Sequence, residues 1–450
     1  MLVLASLLVH SCATSDVNTL PLTLFKPSTG ARCLDGTYTY VYHTQTCPRS
    51  RRPLASISWC VHYSFFPYYW PCRRTGSMGG YHARAGSEKQ LLISLPGGGW
   101  CWNDDNCAAR ANTSLGSMDV YIAQRGKEMA VGEGELNGLP ALNPHFHNFT
   151  MLSPVYCDGS NFAGAADHAN VPLPGGGTTT LYVRGRAILT AALDAALEQF
   201  NLAETLEEVM LTGCSAGGTA TYFNVDFVHK YLSSKLAPGR RLKTRAFGNA
   251  GWFLDTNSKA WDGEGWSGEP GFQRAADEAL FSYAGLAPML STECQMSYAP
   301  LKESWKCAMS QYLYPFIEQP TLVLQSSYDL NQLVTGGPPC VQASAFRGGQ
   351  PTIAFPHSLN NCSAADTEVV NRYGDALNAS LFTARRGAVF APTCTIHCYT
   401  GHWTQIAIGN VTMADAIGQF FVASDPSGMM WYDTCRGGNC NPTCPIATPE

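Results

Sequence analysis

Residues 211–220 read LTGCSAGGTA, a serine flanked by glycines two positions away, with only small residues between. The preceding EEVMLTG (207–213) is a short apolar run of strand type. The following TATYFNVDFVHKYL (219–232) carries Phe223, Phe227 and Tyr231 four residues apart, the spacing of a helix. A serine at a tight strand-to-helix turn needs neighbours without bulk, because the backbone there bends sharply. Gly213, Ser215, Gly217 and Gly218 meet that need in the G-x-S-x-G arrangement, which lifts a serine hydroxyl above a sheet. The same five residues also suit a glycine-rich turn with an incidental serine, so the rest of the chain must decide.

Composition narrows the classes. The chain has 450 residues, enough for one large domain or two to three ordinary ones. Only 14% of residues are charged and the net charge is −5, which leaves no basic footprint for nucleic acid and no polybasic membrane patch. Eighteen cysteines without regular C-x-x-C pairs indicate disulfides rather than zinc, hence an oxidising compartment. The opening MLVLASLLVHSCAT is apolar and then small, so residues 1–13 read as a signal peptide with Ser11 and Ala13 suited to cleavage. The usual basic start is lacking, which leaves a buried N-terminal segment as the alternative. No later segment has the apolar length of a membrane span. Sequons at Asn112, Asn148, Asn361, Asn378 and Asn410 agree with a secreted, extracellular or cell-wall protein.

Along the chain, EKQLLISLPGGGWC (88–101) reads as a strand entering a glycine turn, and FTMLSPVYC (149–157) is another apolar run. LYVRGRAILTAALDAALEQF (181–200) predicts an amphipathic helix with Leu189, Leu193, Ala196, Leu197 and Phe200 on one stripe. Further strands are expected in TRAFGNAGW (244–252), PTLVLQSSYD (320–329) and GAVFAPTCTIH (387–397), and a last helix in MADAIGQFFVAS (413–424). LPGGGTTT (173–180) reads as a loop. Strands alternating with helices predict an α/β fold with a mostly parallel central sheet flanked by helices and stabilised by disulfides. Residues 38–77 fit badly: no period, dense aromatics, and Cys47, Cys60 and Cys72. Such a stretch is an insert to a compact domain: a lid, a disordered segment or a gene-model artefact.

A serine nucleophile needs a proton acceptor held by an acid, and donors for the oxyanion. In the α/β-hydrolase arrangement acid and base follow the serine in the chain, each just past a late strand. Asp329 ends the run TLVLQSSYD, where that acid belongs, and an ordinary turn or cap aspartate would stand there equally well. His397 ends AVFAPTCTIH between Cys394 and Cys398, and His402, in GHW, competes with it either as base or as a neighbour packed on Trp403. GGGW after the early strand supplies convergent backbone N–H groups, from Gly98 and Gly99, with the N–H of Ala216 as a third. A phosphate-binding reading fails for want of a P-loop lysine or G-x-G-x-x-G spacing. CTIHC (394–398) has metal-ligand residue types but no second cluster at zinc spacing.

LPGGGWC, YCDGSNFAG (156–164), LYVRG (181–185), GCSAGG (213–218), NAGWFLD (249–255), SSYDLNQL (326–333) and CTIHC, with ARCLDG (31–36), resemble the pectin acetylesterase family in order and spacing. The related Notum carboxylesterases share this framework, and the similarity spans about residues 79–444. The resemblance implies Ser215 as nucleophile, Asp329 as acid and His397 as base. It also implies a single esterase domain over 31–444 with a tail at 445–450. Two departures stand out. Pro96 precedes the glycine triplet where the family usually has an acidic residue, and residues 38–77 separate CLDG from Tyr81–His82. Without Cys12 and the insert's three cysteines fourteen remain, an even set, and Cys101 and Cys107 are near enough to staple the glycine turn.

The expected function is therefore that of a secreted serine esterase acting on acetylated polysaccharide, most simply galacturonan of pectin, with neither metal nor organic cofactor. Two other readings remain at this level: removal of a longer acyl group from a protein, and a glycan-binding protein without catalysis on the same fold.

Overall fold

The computed structural model describes residues 19–35, 77–132, 134–173, 176–255, 272–338, 340–341, 346–347, 350–351, 362–384, 387–399 and 401–445. The expected signal peptide at 1–13 lies outside the described residues. So does the insert at 38–77, apart from Ser77. Its N–H and Oγ donate to Asp35 Oδ1 at 3.0 and 2.7 Å, so the chain leaves and re-enters the described structure at one point.

Among the described residues ten strands form the main sheet: β1 (Thr19–Leu24), β2 (Gly80–Arg84), β3 (Ser87–Leu95), β4 (Glu128–Ala130), β5 (Phe149–Pro154), β8 (Glu208–Cys214), β9 (Lys243–Asn249), β10 (Thr321–Leu324), β13 (Ala388–Ala391) and β16 (Met430–Tyr432). Three small pairs accompany it: β6 (Ala166–Pro172) with β7 (Thr178–Val183), β11 (Phe346–Arg347) with β12 (Gln350–Pro351), and β14 (Ala407–Ile408) with β15 (Val411–Thr412). The main order is β16-β13-β10-β9-β8-β3-β5-β2-β1-β4. From β16 to β5 every pairing is parallel, and β2, β1 and β4 add an antiparallel margin. The expected mostly parallel α/β sheet is what forms.

Both faces of the sheet are covered, which is why its strands read as continuous apolar runs. Leu91, Ile93 and Leu95 of β3 and Val209 and Leu211 of β8 face one layer. There they meet Ile188, Leu189 and Leu193 of helix Gly185–Gln199, and Val225, Val228 and Leu232 of helix Ala216–Lys235. The intervening Leu92 and Met210, with Leu322, Leu324 and Phe390, face the opposite layer and pack on Ile417, Phe420 and Phe421 of helix Met413–Val422.

Some expectations change. The helix expected from 181 begins at Gly185, because Leu181 and Val183 are buried residues of β7 in a hairpin with β6. Within the loop expected at 173–180 strand begins at Thr178, and residues 174 and 175 lie outside the described residues. The Phe223–Phe227–Tyr231 stripe is only partly core: Phe223 is buried, whereas Phe227 and Tyr231 are half-buried and Val225, Val228 and Leu232 complete the packing. Among the described residues seven disulfides use all fourteen described cysteines, including the expected Cys101–Cys107.

Burial gives this core a pH signature. It pushes Asp35 and Asp158 up to about 6 and raises Glu135 and Asp277 as well. Such groups bind protons more readily folded than unfolded. Their stabilisation is complete below the ordinary carboxyl range and is lost as pH rises through their folded values. Burial lowers His82 and His229, which work in the opposite sense between their lowered values and about 6.5. The four carboxyls outweigh the two imidazoles, so the thermal midpoint is expected to be several degrees higher at pH 5 than at pH 8. Calorimetry at the two pH values measures it, and a lower midpoint at pH 5 would contradict the account.

Candidate active site

The carboxyl ends of the parallel strands gather the candidate residues, as open α/β sheets place their ligands. Ser215 stands between β8 and helix Ala216–Lys235 with φ 61° and ψ −125°, a conformation that costs a residue other than glycine roughly 1–3 kcal/mol. Its N–H donates to Asn249 O at 2.9 Å, and its carbonyl accepts from Thr219 N at 3.0 Å, so the backbone is pinned on both sides. The glycines are needed because three chains cross here. A Cβ on Gly217 would strike Leu95 O of β3, one on Gly218 would lie 2.5 Å from Asn249 O of β9, and one on Gly213 would meet Gly217 itself. Ser215 Oγ caps nothing on the helix it precedes.

Asp329 is fully buried at the start of helix Leu330–Gly336. Its Oδ1 accepts from Gln332 N at 3.0 Å, an ordinary N-cap, while Oδ2 lies 2.8 Å from His397 Nδ1 and accepts from Gln325 Nε2 at 3.1 Å. The cap and the histidine partner are thus one residue, with an oxygen for each task. A carboxylate only accepts, so this contact puts the imidazole proton on Nδ1 and leaves the Nε2 lone pair free. Among the described residues His397 Nε2 is buried and has no hydrogen-bond partner. Gln325, buried and also bonded to Trp252 N at 3.0 Å, is a support that the sequence did not single out.

Disulfides fix the histidine loop. Cys214–Cys398 joins the residue before Ser215 to the residue after His397, with Cα atoms 5.7 Å apart, and Cys394–Cys444 ties the loop's other flank. Both cysteines of CTIHC are therefore spent in disulfides. His402 sits elsewhere: its Nδ1 is 3.4 Å from Gln405 Oε1, and its backbone closes a turn beside buried Trp403.

The glycine turn passes directly over the serine, since a Cβ on Gly97 would lie 2.9 Å from Ser215 Cβ. Gly98 and Gly99 adopt φ 139° and 63°, which favour glycine. Trp100 packs edge-on against Phe253 at 5.3 Å, and Phe253 lies 6.2 Å from the His397 ring, so the surroundings of the imidazole are aromatic. Ala216 is the first residue of the helix, where a backbone N–H lacks an intrahelical acceptor. The serine turn thus lies against the glycine turn and is joined by Cys214–Cys398 to the loop whose histidine is oriented by a carboxylate. Among the described residues no group of three or more His, Cys, Asp or Glu is disposed to hold a metal ion.

The Pectinacetylesterase family model matches residues 72–445 of the chain. Pectin acetylesterase 5 of Arabidopsis thaliana is 26% identical over 391 residues, covering 82% of this chain and 80% of its own. The palmitoleoyl-protein carboxylesterase notum1a of Danio rerio is 25% identical over 396 residues, covering 82% of this chain and 69% of its own. In fold the chain is similar to the Wnt deacylase Notum from Drosophila, with a TM-score of 0.68 at 22% identity, over 95% of this chain and 100% of that one.

Proposed function

The chain belongs to the pectinacetylesterase family, and from that membership and the site geometry we propose that it is a secreted serine esterase removing acetyl groups from polysaccharide, galacturonan of pectin first among them. The observation that carries the reading is His397: its Nδ1 is held by Asp329, its Nε2 is buried and without a partner among the described residues, and Cys214–Cys398 fastens its loop to the Ser215 turn. In the first step Ser215 Oγ attacks the acetyl carbonyl and gives its proton to His397 Nε2. Asp329 keeps the tautomer and stabilises the imidazolium. The tetrahedral oxyanion is received by N–H groups of the glycine turn, residues 98–100, and of Ala216, often the largest single contribution to rate. The C–O bond to the sugar breaks, and the sugar oxygen takes the proton from His397. Water, deprotonated by the same nitrogen, then attacks the acetyl-enzyme and releases acetate and free Ser215.

Secretion is part of the proposal. Seven disulfides among the described residues suit an oxidising compartment, and no described helix is long and apolar enough to cross a membrane. Asn112, Asn148 and Asn410 are exposed, and Asn112 Nδ2 donates to Ala108 O at 3.0 Å. Asn378 is half-buried and accepts from Ser327 Oγ at 2.7 Å, and Asn361 lies outside the described residues. We take residues 31–444 as one esterase domain, with 38–77 an insert in its sequence.

Removal of a longer acyl group from a protein is the second reading, supported by the carboxylesterase relative at 25% identity. Acyl-chain dependence separates the two. A short acyl pocket gives a steep fall in turnover beyond acetyl, because overpacking is not relieved cheaply. An open one gains roughly 0.8 kcal/mol of binding per buried methylene. Acetate release from acetylated pectin and xylan, with nitrophenyl esters of increasing chain length, measures both preferences. Pectin and the acetyl ester are expected to lead. A maximum at chains beyond octanoyl would transfer the chain to the second reading.

A further inference from the structure

The glycine turn has no acidic residue before it, since Pro96 stands there, and its backbone is held instead from the other side. Arg110, in helix Asp104–Arg110, donates through Nη1 to Gly98 O at 2.9 Å and through Nε to Leu115 O at 3.0 Å. Tyr156 Oη donates to the next carbonyl, Gly99 O, at 2.7 Å and accepts from Asn161 N at 3.1 Å. The two donors support each other, with Arg110 Cζ 5.1 Å from the Tyr156 ring centroid.

Two successive carbonyls held outward determine where their N–H groups point. A trans peptide is planar, with C=O and N–H opposed, so fixing Gly98 O turns the N–H of Gly99, and fixing Gly99 O turns the N–H of Trp100. Neither N–H has a hydrogen-bond partner among the described residues. The turn otherwise has little to define it, since glycines at φ 139° and 63° have many conformations to lose.

The layer behind the arginine is built for it. Gly159, at φ 68°, leaves room that a Cβ would deny, because that atom would lie 3.0 Å from Arg110 Cδ and 2.8 Å from Cys101 Sγ. Asp158, fully buried, is near enough for the guanidinium charge to favour its ionised form, although burial dominates. Its Oδ1 and Arg110 Nη2 are both buried without a hydrogen-bond partner among the described residues. The Cys101–Cys107 disulfide ties the glycine turn to the helix that carries the arginine.

We propose that Arg110 is the positioning residue of the oxyanion turn, holding the Gly98 carbonyl outward, with Tyr156 performing the same service for Gly99. Neither side chain touches the reacting atoms. They act by keeping the Gly99 and Trp100 N–H groups aimed where charge develops, and this rests on the esterase reading above.

The test compares wild type, Arg110→Ala, Arg110→Lys and Tyr156→Phe on one acetyl ester. Misplacing donors by about an ångström weakens the transition state far more than the ground state, so kcat should fall about 10- to 100-fold in Arg110→Ala with KM little changed. Millimolar guanidinium should restore part of that rate, since it can occupy the vacated space. Arg110→Lys keeps the charge but not the two-pronged fork, and should lose about 10-fold with an unaltered thermal midpoint. Tyr156→Phe keeps the ring and should show the same split between kcat and KM. If Arg110→Ala does not fold, Arg110→Lys decides alone. Unchanged kcat in folded Arg110→Lys and Arg110→Ala, or equal losses through KM, would overturn the proposal. Absence of ester hydrolysis in the wild type would instead remove the reading on which it rests.

Discussion

Replacement of Ser215 by Ala is expected to abolish ester hydrolysis while leaving the protein folded and secreted. The strain of the turn resides in the backbone, at φ 61°, and alanine carries the same Cβ, so that cost is unchanged. The Ser215 N–H still donates to Asn249 O, and the serine hydroxyl makes no capping bond whose loss would loosen the helix. What disappears is the hydroxyl that the proposal makes the nucleophile. Members of a nucleophilic unit act together, and loss of the nucleophile in such systems lowers turnover by about 10⁶. Labelling by a fluorophosphonate, read as mass added to the intact protein, should occur in the wild type and vanish in Ser215→Ala at an unchanged thermal midpoint. Labelling of the variant at the wild-type rate would place the nucleophile elsewhere.

The sheet was legible where strands are buried on both faces. Uninterrupted apolar runs such as QLLISL and VMLTG have no other use in a chain of this composition, so β3 and β8 stand close to where the residues place them. The antiparallel margin was not legible. β1 and β2 pair across some sixty positions of sequence, and nothing local in TLPLTL announces a partner that distant. The helix Ala364–Leu381 leaves no clear stripe in the sequence, because its buried Val370, Tyr373, Leu377 and Leu381 are diluted by polar residues on the remaining arc. LYV at 181–183 reads as helical because it abuts a strong helical stripe, and its pairing with β6 makes it strand.

The site divides in the same way. Ser215 was legible from its glycines, because steric need leaves a trace in sequence. Asp329 and His397 were legible as residues ending late apolar runs, yet the bond between them spans 68 positions and only folding makes it. Arg110 left no trace. It ends a short helix with no motif of its own, and its contact with Gly98 follows from the Cys101–Cys107 loop folding back.

The choice between the two histidines gives the second large effect. His397→Ala removes a nitrogen that is buried and without a partner among the described residues, on the loop that Cys214–Cys398 joins to the serine turn, and turnover should fall by several orders of magnitude, approaching Ser215→Ala because the members act as a unit. His402→Ala should lose little. Among the described residues that side chain has only a 3.4 Å contact to Gln405, and the turn it occupies is closed by backbone bonds and by buried Trp403, whose Nε1 donates to Leu142 O at 2.7 Å. A third variant isolates the role of the acid. Asp329→Ala would strip an N-cap as well, at about 1 kcal/mol, and confound stability with catalysis. Asp329→Asn can still accept from Gln332 N, but its amide presents either a donor to His397 Nδ1 or a weaker acceptor, and favours the tautomer that leaves Nε2 protonated. A wrong tautomer lowers turnover by about 10⁴ in the best-studied serine hydrolases. Initial rates on an acetyl ester, with thermal midpoints for each variant, should therefore rank wild type and His402→Ala together, Asp329→Asn far below, and His397→Ala lower or equal. If His402→Ala fell with the catalytic group while His397→Ala kept its rate, the base would lie five residues further along and the Asp329–His397 bond would be structural.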